Sequence, residues 1–178
     1  TPENPTPTKK TPRTSCSRCE KIEELCVCAL IQPIDTKHHI FILQHPQEPD
    51  KDLGTARIAQ LALKNSSLLV ALSKSNLKKA LGREDVSPSR WGVLYLGSGI
   101  KSGAKGPGLY AVSKSGAALP SDEQSRIFHD LEGIIFLDGT WSQAKALWWR
   151  NAWLLKCRRL VLQPKTRSLY GNLRKEPR

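Results

Sequence analysis

The chain has 178 residues, 39% of them apolar, and carries 28 Lys and Arg against 16 Asp and Glu, a formal charge of +12. That length suits one domain with a real core, and with no run of about eighteen apolar residues no membrane-spanning helix is expected. The positive excess points to a polyanionic partner, nucleic acid first; a membrane surface is the weaker reading because no basic amphipathic helix with a clean apolar face occurs.

Residues 1–15 carry Pro2, Pro5, Pro7 and Pro12 among threonines and lysines. They read as an extended or disordered basic arm, because such a composition cannot bury a core. Residues 16–30 hold four of the five cysteines and read as a small knuckle. The remainder, 31–178, reads as one α/β domain. No signal peptide is read, so a cytoplasmic location is expected. The chain starts at Thr1 without a methionine and stops after a charged stretch at Arg178, so the natural protein is expected to continue. The oligomeric state is not fixed by sequence, and a monomer is the working expectation.

In chain order, Ile40–Leu43 is a short apolar strand closed by Gln44-His45-Pro46. Ile58, Leu61 and Ala62 give helical spacing within 52–64. Leu68–Leu72 reads as a second strand, then a short helix capped by Ser75 or Asn76 and ended by Gly82. Trp91–Leu96 is a third strand that empties into Gly97-Ser98-Gly99 and a long Gly/Lys/Ser stretch to about Gly108. Ser121 and Gln124 have capping-box spacing for a helix ending near Gly133. Ile134–Leu137 is the next strand, Trp141–Trp149 the next helix and Arg159–Leu162 the last strand. Trp148, Trp149 and Trp153 are expected to pack against the sheet. Strands alternating with helices imply a mainly parallel sheet with helices on both faces.

Cys16-x-x-Cys19 and Cys26-x-Cys28 place two close thiol pairs on one short loop. Four soft ligands suit a tetrahedral structural zinc, which would supply much of the folding energy of so short a segment. Disulfides are the competing reading, and the odd cysteine count without a secretion signal argues against them. Four thiolates leave no open position for catalysis. Cys157 reads as a buried apolar filler.

Three loops leave the strands at their carboxyl ends, where ligands bind in open α/β folds. They are Gln44-His45-Pro46, Gly97-Ser98-Gly99 and Asp138-Gly139-Thr140-Trp141. The glycine loop is neither a Walker phosphate loop nor a dinucleotide fingerprint. Thr140 with Gln143 fits a helix capping box, and the whole corner could be strand-to-helix punctuation. That reading leaves Asp138 over, because a carboxylate ending a buried strand is costly unless it is hydrogen-bonded or binds something. It is a candidate general base if partial burial raises its pKa, and Trp141 either packs in the core or walls a pocket. From Lys145 onward the basic residues face Glu176 alone, a one-signed segment suited to phosphate contact.

Taken together, the cysteine pattern, Gln44-His45-Pro46, Gly54-Thr55-Ala56-Arg57, Asp138-Gly139-Thr140-Trp141 with Gln143-Ala144, and Ser168-Leu169-Tyr170-Gly171-Asn172-Leu173-Arg174 resemble the DTW-domain family. That family comprises tRNA-uridine aminocarboxypropyltransferases. The likeness covers nearly all of the chain after the arm. It departs at Gly54-Thr55-Ala56-Arg57, where the family usually has Asn-Thr-Gly-Arg, and in the longer glycine- and lysine-rich loop.

The resemblance implies a SPOUT-like fold with a knotted carboxyl-terminal part, S-adenosylmethionine as donor, and transfer of its 3-amino-3-carboxypropyl group to N3 of a uridine in tRNA. By the same resemblance, Asp138, Thr140 and Trp141 are the catalytic candidates. The cofactor would be held by Gln44, His45, Leu96, Gly97, Leu137, Asp138, Gly139, Thr140, Leu162, Pro164, Ser168 and Tyr170. Arg57, Arg167, Arg174 and Lys175 would contact tRNA, and Cys16, Cys19, Cys26 and Cys28 would bind zinc. Two rivals stand beside it: a methyltransferase on the same cofactor, and a zinc-containing RNA-binding module without catalysis.

Overall fold

The computed structural model describes residues 14–49, 54–94 and 99–166. The proline-rich arm through residue 13, Leu96 and Gly97, and the tail with Arg167, Ser168, Tyr170, Arg174 and Lys175 lie outside the described residues, as does the chain beyond 166 that a carboxyl-terminal knot would use.

The domain is built from β1 (His39–Gln44), α1 (Ala56–Ala62), β2 (Ser66–Val70), α2 (Leu77–Leu81), β3 (Trp91–Leu94), β4 (Gly108–Val112), α3 (Ser121–Asp130), β5 (Gly133–Asp138), α4 (Trp141–Arg150) and β6 (Arg158–Gln163). The six strands form one sheet in the order β2-β1-β5-β3-β6-β4. Every pairing is parallel except β4 with β6. Ile40–Leu43 and Ile134–Leu137 are continuous apolar runs because both sheet faces are covered. Phe41, Leu43, Val93 and Ile135 pack with Leu77, Leu147, Trp148, Trp153 and Leu154 in one core. Ile134, Leu160 and Ala111 pack with Ile127 of α3 and with Leu131, which follows it, in a second. Alternating side chains thus feed two cores, and the expected α/β architecture with helices on both faces holds.

The connection after β1 runs outward to β2, whereas the connection after β5 runs the other way, past β3, to β6. β1 and β5 are neighbours. Their carboxyl ends therefore flank a topological switch point, where the diverging connections leave a crevice.

Several expectations are corrected. The glycine- and lysine-rich stretch does not lead directly to the helix, because Gly108–Val112 forms antiparallel edge strand β4. Ser121 does not cap α3; Pro120 occupies that position. The Gln124 side chain instead accepts from the Ala111 N–H at 3.2 Å and donates to the Leu119 carbonyl at 2.9 Å. It ties α3 to β4, and the helix ends at Asp130. Trp148 and Trp153 are buried as expected, but Trp149 is 75% exposed. It lies on the side of α4 away from Ala144, Leu147 and Trp148, the helix residues that meet the core. Other local signals hold: Asn76 caps α2, accepting from the Lys79 N–H, and Gly82 ends it in the left-handed conformation at φ 67°.

Candidate active site

Gln44 and Asp138 end β1 and β5 and are register partners. Gln44 Nε2 donates to Asp138 Oδ2 at 2.8 Å. Gln44 is 5% exposed, so this is the partner that Asp138 lacked in the sequence. A carboxylate accepts only, so the bond also orients the Gln44 amide. Asp138 Oδ1 has no partner among the described residues. The result is a half-buried carboxylate, braced from one side and open on the other, at the switch point.

The flanking loops are stitched to this pair. His45 N–H donates to the Asp138 carbonyl at 2.9 Å, and His45 Nδ1 accepts from the Gln47 N–H at 3.3 Å. Gly139 is tight: a Cβ there would lie 2.9 Å from Gln143 Cβ and 3.4 Å from His45 Cβ. Thr140 and Gln143 form the expected reciprocal capping box. Gln143 also donates to Gln47 Oε1 at 3.1 Å, joining the His45 loop to the first turn of α4. The Gln143 N–H is taken by Thr140 and the Ala144 N–H by the Thr140 carbonyl. The N–H groups of Trp141 and Ser142 are left without a partner among the described residues. Trp141 is 45% exposed at this corner. Leu137 is half-buried, and Leu162 and Pro164 are exposed where β6 leaves the sheet.

The four cysteines of the knuckle converge. Their sulfurs all lie within 4.8 Å of one another, and the cluster could hold a metal ion. Cys16 and Cys28 sulfurs are 3.7 Å apart and those of Cys19 and Cys26 are 3.8 Å apart. A tetrahedron of bonds of about 2.3 Å has edges of about 3.8 Å, so the spacing fits. Backbone N–H groups of Cys19 and Arg18, then the Cys26 thiol, lower Cys16 to about 6, while desolvation and then the surrounding sulfurs push Cys28 up to about 12. The cluster thus accommodates one thiolate readily and resists the last, the condition a divalent cation relieves.

Arg57, expected at tRNA phosphates, faces this knuckle. Its guanidinium donates to the Arg18 carbonyl at 3.2 Å and to Gln60 Oε1 at 2.9 Å, and pairs with Glu20 at 3.3 Å. Glu20 itself sits at φ 61°, a left-handed turn that follows Cys19. A narrow crevice between knuckle and sheet is lined by Cys19, Lys21, Gln44, Glu48, Gly54 and Arg57. The metal site and the carboxyl end of β1 are therefore neighbours, although the four cysteines lie 16 to 28 residues before Gln44 in sequence.

Two residues escape the sequence reading. Glu48 is 5% exposed beside the site, and Asn151 is fully buried at the end of α4. Asn151 accepts from the Lys74 N–H at 2.8 Å and from Trp153 Nε1 at 3.2 Å, and donates to the Leu147 and Leu72 carbonyls. No spacing rule signals either residue. Among the described residues, no helix is long and apolar enough to cross a membrane.

A family model described as the DTW domain matches residues 13–178. A curated tRNA-uridine aminocarboxypropyltransferase 2 from Macaca fascicularis is 26% identical over 166 residues, covering 92% of this chain and 50% of that protein. A protein of the same name from Mus musculus is 25% identical over 142 residues, covering 79% of this chain and 43% of its own. The chain thus spans about half the length of the curated relatives it matches. No solved structure matches.

Proposed function

This chain belongs to the DTW domain family, and on that footing we propose that it carries the catalytic domain of a tRNA-uridine aminocarboxypropyltransferase. The donor in this reading is S-adenosylmethionine, the acceptor is N3 of a uridine in tRNA, and the knuckle holds Zn2+. The observation that carries the reading is the Asp138 carboxylate, braced by Gln44 at 2.8 Å at the switch point. The names of the similar proteins support the choice of reaction.

The residues at the strand ends fit the donor. Leu137, Leu162 and Pro164 offer apolar surface for an adenosine, with Leu162 57% exposed. The unpartnered N–H groups of Trp141 and Ser142 suit the amino-acid carboxylate, since a helix amino terminus favours an anion. Gly139 keeps the backbone close to Gln143 and His45. Leu96, Gly97, Ser168 and Tyr170 complete the proposed pocket from beyond the described residues, as would a SPOUT-like knot.

When bound, the donor would supply an electrophilic carbon on its sulfonium, so that an N3–C bond forms, a C–S bond breaks and methylthioadenosine leaves. Uridine N3 is protonated and a poor nucleophile until that proton is removed. Asp138, using its open Oδ1, takes the N3 proton. Gln44 holds the other oxygen and fixes the carboxylate plane. Trp141 walls the corner, and Thr140 sets the start of α4. Positioning supplies much of the remaining rate. Arg57 seats the knuckle beside the site, so a phosphate contact by Arg57 would compete with Glu20. Arg167, Arg174 and Lys175 stay proposed phosphate contacts, and a cytoplasmic setting belongs to the same proposal.

The test uses unmodified tRNA transcripts and donor labelled separately in the methyl and aminocarboxypropyl carbons. Aminocarboxypropyl label entering uridine is the expected result. Methyl label in the RNA would make the protein a methyltransferase. RNA binding with no transfer would overturn the enzymatic reading.

A further inference from the structure

Beyond Trp141, the outer face of α4 is used by neither the fold nor the proposed chemistry. An α-helix advances about 100° per residue, so Trp141, Lys145 and Trp149 fall within about 80° of one another. The buried residues Ala144, Leu147 and Trp148 lie on the side that meets the core. Trp149 is 75% exposed and Trp141 45% exposed, and Lys145 between them is exposed. Neither Lys145 nor Trp149 has a hydrogen bond, ion pair or ring partner among the described residues. Leaving indole surface in water forfeits burial free energy, and here one largely exposed and one partly exposed indole stand in one row. The row starts at the residue three positions after Asp138 and runs outward for about 12 Å.

Charge identifies the occupant. No Asp or Glu occurs between Asp138 and Glu176, while that interval holds nine Lys and Arg. Arg150, the last residue of α4, and Lys156 beyond it are both exposed as well. A second copy of the chain packing here about a two-fold axis would bring Lys145 toward its own counterpart. An aromatic–cation–aromatic row on a positive surface is what a single-stranded nucleic acid needs: indoles stack on unpaired bases while the ammonium takes the phosphate between them.

We infer that the Trp141–Lys145–Trp149 face of α4 is a stacking platform for unpaired nucleotides of the RNA substrate, leading the strand to Asp138. This rests on the proposed RNA-modifying function and adds to it the form of the substrate: a looped or otherwise unpaired segment, not the interior of a duplex stem. Trp149 and Lys145 become binding residues outside the reaction centre.

The experiment measures binding of the full chain to an unmodified tRNA transcript and to fluorescein-labelled oligouridine, by anisotropy, across a salt series. Trp149→Ala is expected to weaken both by roughly tenfold, and Trp149→Phe to keep most of the affinity, as loss and retention of one stacked base predict. Lys145→Ala should reduce the slope of log affinity against log salt by about 1. Donor binding by calorimetry and the melting temperature should stay at wild-type values in all three variants, since the side chains are exposed. Wild-type RNA affinity in Trp149→Ala would overturn the inference. So would a wild-type dimer, seen by sedimentation equilibrium, that Trp149→Ala dissociates without changing RNA affinity. Trp149-dependent RNA binding in a protein that transfers nothing would leave this inference standing and remove the transferase reading. Normal transfer with Trp149-independent RNA binding would do the reverse.

Discussion

Gln44 and Asp138 are 94 positions apart, yet they face each other across paired strands with 2.8 Å between amide nitrogen and carboxylate oxygen. Gln44 is buried and Asp138 half-buried, so the bond is shielded and the carboxylate is held in one orientation. Asp138→Asn keeps the shape and can still accept from Gln44, but it cannot take a proton. Single-turnover transfer to tRNA should fall by at least about 100-fold, with donor affinity by calorimetry largely retained. Gln44→Leu should lower the rate by about tenfold through lost positioning. Normal turnover by Asp138→Asn would remove Asp138 as the base.

Gly139→Ala tests how tightly the corner is packed. The added methyl would sit 2.9 Å from Gln143 Cβ and 3.4 Å from His45 Cβ. Gln143 is committed on both sides, to the Thr140 cap and to Gln47, so it has little room to yield. The variant should lose about 1–3 kcal/mol of stability, read by urea denaturation. Donor affinity should fall as well. A variant with wild-type stability would show that the first turn of α4 shifts freely.

The knuckle should carry one zinc per chain, measured by elemental analysis, and Cys19→Ser should carry none. The pH dependence follows from Cys16, which is lowered from its ordinary value of 9.0 to about 6. A depressed thiol pKa contributes stability that is complete above pH 9 and lost as pH falls through about 6. Zinc displaces the thiol protons when it binds, so it should stay bound at pH 8 and pass to a competing chelator in acid. Hydrogen exchange in residues 15–30 should then accelerate, and the Gln44 end of β1 should follow because the crevice joins them.

Cys157 behaves in the opposite sense. Burial alone pushes its thiol up from 9.0 to about 12. A raised pKa means that its contribution is complete below pH 9 and lost as pH rises toward about 12. Between those limits the wild type should destabilise with rising pH more steeply than Cys157→Ala. In the native protein Cys157 should resist a thiol reagent at pH 8 and react only on unfolding.

Asn151→Ala should be among the most damaging single changes away from the site. Asn151 is fully buried and satisfies groups of Lys74, Leu72, Leu147 and Trp153. Truncation leaves several buried polar groups unpaired, a cost of about 3 kcal/mol, which at this chain length lowers the melting temperature by about 6–12 °C. Asn151→Asp should also fail, since it cannot donate to the two carbonyls.

Much of the molecule was legible because the signals are local. Ile40–Leu43 and Ile134–Leu137 announce doubly covered parallel strands, Thr140 with Gln143 and Asn76 with Gly82 announce helix ends, and four cysteines within 13 positions announce a metal cluster. Each depends on residues a few positions apart, where backbone geometry alone decides who meets whom. The strand order, the switch point between β1 and β5, and the Gln44–Asp138 bond depend on which distant segments pair. So do the antiparallel β4, the diversion of Gln124 from cap to cross-brace, the clamp of Arg57 on the knuckle and the outward turn of Trp149. Trp148 and Trp149 are adjacent and chemically identical. Only the packing of α4 on the sheet, which admits one side of the helix, buries the first and leaves the second in water.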